Sequence, residues 1–212
     1  MTAGKCLVLN KPQRIAQAPC SRPTTSKDTL NAARPDVAQA RRVLPRVRRL
    51  NGVGVEFAIR PMTAVDAQAV AAWRYPDEYS FYDADANPDD LAELLDPAGW
   101  GKRYFAADEL AKRTLAGVLV VKLTGRVAEI GLGLRPGLTG GGLGESFLRA
   151  CLHFVSAALG AHSCTLAVAA FNRRAITVYE RAGFREAGRF EHATNGGLHA
   201  FIRMTKDSIA AP

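Results

Sequence analysis

No run of the 212 residues stays apolar for the roughly 18 positions that a bilayer-crossing helix needs, and the first thirty lack the apolar core of a secretory signal. A soluble, cytoplasmic chain without membrane contact is the expectation. The four cysteines form no CxxC pair, and the four histidines complete no zinc-binding spacing. Neither a disulfide framework nor a metal site is expected. Acids are scarce in one region only. Residues 1–50 hold eleven lysines and arginines but just Asp28 and Asp36, a net charge of +9, so the overall +8 belongs to a tail and the rest is close to neutral. That tail also lacks a hydrophobic period, with Pro12, Pro19, Pro23, Pro35 and Pro45 scattered through it. Residues 1–52 are expected to be a disordered basic extension, and 53–209 one domain. The cluster Arg41, Arg42, Arg46, Arg48 and Arg49 could attract phosphates, but no groove-reading motif accompanies it. Nucleic acid is expected at most as a weak partner of the tail.

What is present is a mixed pattern of strands and helices. Val55 to Arg60 alternates apolar and polar residues before a proline, as a strand does. Thr63 and Asp66 have capping-box spacing, and Val65, Ala69, Ala72 and Trp73 are expected to form the apolar face of the helix they open. Asn87-Pro88-Asp89-Asp90 starts a second helix carrying Leu91, Leu94 and Leu95. Strand-like runs at 103–107, 115–123 and 127–135 suggest an antiparallel meander. A helix follows on Phe147, Leu148, Cys151, Phe154, Val155 and Leu159, ending at Gly160. Next come a strand at 165–169, a helix at 173–182 and a hairpin around Asn195-Gly196.

Two segments carry the chemistry. Thr139-Gly140-Gly141-Gly142-Leu143-Gly144 leads from a strand into a helix, where unpaired N–H groups carry partial positive charge and glycines admit an anion close to the backbone. A phosphate or pyrophosphate fits such a turn, and a packing-only role remains open at this level. A P-loop is excluded because no Gly-Lys-Ser/Thr follows, and the turn lies too deep in the chain for the first crossover of a dinucleotide-binding fold. Farther on, Asn172 opens a helix on which Ile176 and Tyr179 follow at four and three residues, so an amide and a phenol can share a face. An N-cap with a half-buried tyrosine is the alternative.

Together these segments resemble the GNAT superfamily of acyl-CoA-dependent N-acetyltransferases over residues 55–206. The resemblance rests on the turn at Thr139 to Gly144, similar to the R/Q-x-x-G-x-G/A motif, and on Asn172, Ala175 and Tyr179 followed by Gly183-Phe184. It is closest in look to the ribosomal-protein alanine acetyltransferases and to relatives of unassigned substrate that carry a Trp-Arg-Tyr-Pro segment, here Trp73 to Pro76. The resemblance implies an α/β fold with a mostly antiparallel mixed sheet flanked by helices. It also implies acetyl-CoA as donor, a primary amine on a small molecule or protein N-terminus as acceptor, and a monomer or homodimer. Leu132, Gly133 and Leu134 would pair with pantetheine; Gly140, Gly141, Gly142, Leu143, Gly144 and Glu145 would hold the pyrophosphate, and Asn172 would touch the cofactor. Tyr179 would protonate the leaving thiolate, since phenol and thiol titrate within about two units of each other. Thr139 stands where Arg or Gln is usual, and Gly141 where an arginine is common, so binding would lean on backbone amides. Ala167 stands where the alanine acetyltransferases have their glutamate base. Glu129 is the replacement candidate, with water relay the alternative. The aromatic and acidic run from Trp73 to Asp83 would suit a cationic acceptor. A catalytically idle acyl-CoA-binding module and a nucleic-acid-associated protein are the competing functions.

Overall fold

The computed structural model describes residues 55–209; the basic extension, its arginine cluster and the boundary expected at 52/53 lie outside the described residues. The first alternating run forms β1 (Phe57–Pro61), which leads into α1 (Ala64–Ala71) through Thr63. Thr63 accepts from the Asp66 N–H while the Asp66 carboxylate accepts from the Thr63 N–H, the reciprocal box that its spacing predicts. The apolar face differs from expectation. Val65 is 73% exposed and Ala69 and Ala72 are exposed as well, so of the expected face only Trp73 points inward, joined by Asp66, Ala67 and Val70. Asp66 is held on that inward face by a two-pronged bond from Arg60.

Two short 3-10 turns, Asp77–Tyr82 and Ala84–Ala86, precede α2 (Pro88–Leu94), where Asn87 caps the helix by accepting from the Asp89 N–H. Leu94 is fully buried, whereas Leu95 is 45% exposed. The meander follows as β2 (Tyr104–Glu109), β3 (Thr114–Thr124) and β4 (Val127–Leu134), each antiparallel to its predecessor. A 3-10 turn at Pro136–Leu138 and the glycine turn then lead into α3 (Gly144–Ala157). The chain continues through β5 (Ser163–Ala169), α4 (Arg173–Arg181), β6 (Arg185–Thr194) and β7 (Gly197–Lys206).

One seven-stranded sheet results, in the order β1-β2-β3-β4-β5-β7-β6. All its pairings are antiparallel except β4 with β5. Its two faces carry separate cores. Leu119, Val121 and Ile130 face α3 and α4 through Phe147, Leu148, Val155 and Ile176, while Val118 and Val120 face α1 and α2 through Val70, Trp73, Leu94 and Trp100. Among the described residues no helix is long and apolar enough to cross a membrane.

Candidate active site

The exceptional parallel pair is also incomplete. β4 and β5 are matched only from Val127–Ser163 to Glu129–Thr165, yet β4 runs on beside β3 to Leu134, and β5 runs on beside β7 to Ala169. The two strands splay apart beyond Glu129 and open a wedge in the middle of the sheet. The Arg135 N–H donates to Ala116 at 2.8 Å, which fixes the alternation of the β3–β4 ladder. Gly133 and Gly131 therefore bond to β3, while the N–H and C=O groups of Leu132 and Leu134 turn into the wedge. An extended ligand with amide groups can pair there as a strand would.

At the mouth of the wedge stands the start of α3. Its N-cap residue, Leu143, offers no side-chain cap, so the first-turn N–H groups are open to an external acceptor. Gly140 and Gly142 have φ of +78° and +76°, and a methyl group built on either meets nothing within 4 Å. Backbone conformation, and not crowding, demands glycine at these two positions. Gly141 is similarly open, whereas Gly144 has a packing role: a Cβ there would lie 3.2 Å from Val178 Cγ2 on α4. Thr139 turns away and donates its hydroxyl to Pro136 at 2.8 Å. Glu145 pairs along the helix with Arg149 at 2.8 Å.

Across the wedge, Asn172 takes the N-cap part foreseen for it and adds a side-chain contact that was not. Its Oδ1 accepts from the Ala175 N–H at 3.1 Å as an N-cap, and its Nδ2 donates to Tyr82 Oη at 3.1 Å. Tyr179 is 5% exposed, one face of its ring against Phe184. Glu129 lies at the wedge apex on the α1–α2 side of the sheet, 24% exposed, its Oε2 3.9 Å from Lys122 Nζ. Ala167, one turn of the pleat farther along β5, is buried and faces the same side. No carboxylate can come from that position.

The Trp73 to Asp83 segment arches over this side, and its tyrosines reach both arms of the wedge. Tyr75 Oη donates to the Leu134 carbonyl at 2.9 Å, and Tyr82 Oη meets Asn172. Burial pushes the Tyr75 phenol well above its usual range, so it stays a donor. Of the acids in the segment, Asp83 accepts from the Tyr75 N–H at 2.8 Å while Asp77 and Glu78 are exposed, and just beyond it Asp85 pairs with Arg74 at 2.7 Å. Phe81, Tyr82, Phe171, Phe190 and Phe201 form an aromatic floor around Ala167 and Ala169. Two arginines that sequence reasoning did not single out lie against aromatic rings here. Arg203 is the cross-strand partner of Ala167 and holds its guanidinium 5.2 Å from the Phe190 ring, while Arg174 lies 3.5 Å over Tyr79. The signal for Arg203 was its period-two spacing from Phe201 on β7.

Comparison with known proteins gives a consistent picture. The model of the acetyltransferase (GNAT) domain matches residues 56–185. A mycothiol acetyltransferase of Streptomyces scabiei (strain 87.22) is 34% identical over 121 residues, which cover 57% of this chain and 37% of that protein. The chain thus spans little more than a third of that curated relative. Among solved structures, a chimera of the Vibrio cholerae spermidine N-acetyltransferase SpeG with hSSAT superposes with a TM-score of 0.59 at 24% identity, covering 71% of this chain and 94% of that one. An acetyltransferase (GNAT family) from Bacillus anthracis gives 0.56 at 18% identity, covering 72% and 95%. At these identities the two structures speak for the fold.

Proposed function

Because this chain belongs to the GNAT family of acetyltransferases, we propose that it transfers an acetyl group from acetyl-CoA to a primary amine by direct attack on the thioester. The observation that carries the reading is the wedge: a strand edge with Leu132 and Leu134 turned inward ends at an uncapped helix start behind glycines of positive φ. Strand-like amide pairing and a helix-terminus anion site, placed in sequence, suit a pantetheine arm joined to a pyrophosphate.

Acetyl-CoA would supply the activated acyl carbon. Leu132 and Leu134 would orient the arm, the amides of Gly140 to Glu145 would hold the pyrophosphate, and Asn172 would border the arm from α4. As the new N–C bond forms, the C–S bond breaks and the Tyr179 phenol gives its proton to the departing sulfur. The amine must arrive neutral or shed its proton, because only the neutral form is nucleophilic. Glu129 at the wedge apex, directly or through water, would receive the surplus proton, and solvent restores both groups.

The test is a panel of amines mixed with enzyme and acetyl-CoA, with thiol release as readout, beside thermal denaturation with and without acetyl-CoA. Acetyl-CoA should raise the melting temperature by mass action, and at least one amine should release free thiol. Stabilisation without turnover of any amine would favour an idle acyl-CoA-binding module. No effect of acetyl-CoA on melting would remove the cofactor reading.

A further inference from the structure

We infer that two copies of this chain pair through the outer edge of β6, antiparallel about Phe190, so that Arg189 of each copy lies opposite Glu191 of the partner subunit. The pairing is independent of the acetyl transfer proposed above. Among the described residues no strand adjoins the outer side of β6, which is 10 residues long and exposed over most of its length. An edge of this kind offers a row of backbone donors and acceptors to another strand. The opposite edge, β1, has only 5 residues and ends at Pro61. The hairpin decides which β6 residues make the offer. Its turn, Asn195-Gly196, has both residues at positive φ and closes on Thr194 and Gly197, the flanking pair that a two-residue turn leaves hydrogen-bonded. Alternation then joins His192 and Phe190 to β7 and turns the N–H and C=O groups of Arg189, Glu191 and Ala193 outward. Ala200, opposite Glu191, agrees with this: its carbonyl accepts from the Ala170 N–H at 2.9 Å, at the end of β5 and away from β6.

Charge selects the register. An antiparallel pairing centred on Glu191 sets that carboxylate against its own copy, and one centred on Arg189 sets guanidinium against guanidinium. Centred on Phe190, the strand sets Arg189 against Glu191 of the partner subunit and Glu191 against Arg189 of the partner subunit. Each of these is a pair whose backbone groups point outward, so bonds and charges repeat across the two-fold axis. Both side chains are exposed and rise on the face that carries α3 and α4, since Arg189 lies opposite the core residue Ile202. Within one chain Arg189 bonds Glu186 at 2.8 and 3.0 Å through Nε and Nη2, an exposed pair that solvent screens, and the guanidinium still has Nη1 to share with a second carboxylate. On the opposite face the two Phe190 rings meet at the axis. There the aromatic floor, in which Phe190 stacks on Phe201 with ring centres 5.8 Å apart, runs on into the second copy. The bulge between Glu186 and Gly188 bends the strand and ends the pairing, which keeps the contact short and the affinity modest.

The experiment is sedimentation equilibrium of the full chain from about 1 to about 100 µM, beside thermal melts of each variant. Wild type should pass from monomer to dimer across this range. Arg189→Glu and Glu191→Arg each set like charges opposite one another, so each alone should raise the dimer dissociation constant about tenfold or more. Mixed in equal amounts the two variants are complementary, one strand acidic and the other basic at both positions, and the mixture should recover the wild-type dimer. The double exchange Arg189→Glu with Glu191→Arg in one chain should recover it as well. Both side chains are exposed, so all variants should melt close to wild type. A wild-type chain that stays monomeric throughout overturns the proposal. So does a dimer or larger assembly that neither variant weakens, and so does a mixture of the two that associates no better than its components.

Discussion

As the proposed acid, Tyr179 would combine two requirements that usually conflict: it is buried in the α3–α4 core, and its hydroxyl would have to meet a departing sulfur. Replacing it by phenylalanine keeps the ring and its contact with Phe184 and removes the hydroxyl. Tyr179→Phe should therefore melt close to wild type but lose on the order of 100-fold in kcat, measured by thiol release at saturating substrates. Undiminished turnover would withdraw the acid role. At the other end of the site, Gly142 sits at φ +76°, a conformation that resists any Cβ. Gly142→Ala should displace the amides proposed to face the pyrophosphate. The expected result is an acetyl-CoA KM several-fold higher with kcat little changed, and a pure kcat defect would contradict it.

At the scale of elements, α3 lies close against β3 and β4 on one face of the sheet. Gly117 makes that approach possible. A methyl group there would stand 2.7 Å from two ring atoms of Phe147 and 3.0 Å from the Gly133 carbonyl, so the ring and the β4 backbone would have to shift. Gly117→Ala should cost about 1–3 kcal/mol, read as a lower urea midpoint at unchanged slope, and adding Phe147→Leu should recover part of it. The 3-10 turn and its flanks act across elements as well, since Tyr75 ties this segment to the end of β4 and Tyr82 ties it to the start of α4. Asn195 joins in by donating to the Phe81 carbonyl at 2.8 Å, so the β6–β7 hairpin and the aromatic floor are held as one unit.

For the whole molecule, the β1–α1 corner supplies a pH-dependent contribution. Arg60 bonds Asp66 and Asp108 at 2.6–3.1 Å, and these bonds with Arg60 first, then those with Thr63, hold Asp66 down to about 2. A carboxylate depressed in the folded state stabilises fully above the ordinary carboxylate range and loses that contribution as pH falls toward its folded value. Because the Arg60 side chain is 36% exposed, the contribution is discounted to about 1–2 kcal/mol. Asp66→Asn should lower stability by that amount at pH 7, and the gap from wild type should close as pH approaches 2 in urea melts at several pH values. A gap that persists there would assign the effect to packing. Features of this kind show where sequence reading stops. Local chemistry determined the strands by alternation, the helix starts by Thr63, Asn87 and Asn172, the phosphate-type turn by its glycines, and the family by two motifs in order. These signals survive because each is written within a few consecutive residues. The inward face of α1, the splay beyond Glu129 and Thr165, the use of Asp83 and Asp85 within their own segment, and the placing of Arg203 beside Ala167 were decided only by the tertiary structure. Tyr75 meets Leu134 across 59 residues and Asn172 meets Tyr82 across 90. A single sequence records the period of each element but not the register between elements, and it is register that brings charges, rings and backbone groups from distant segments to one wedge.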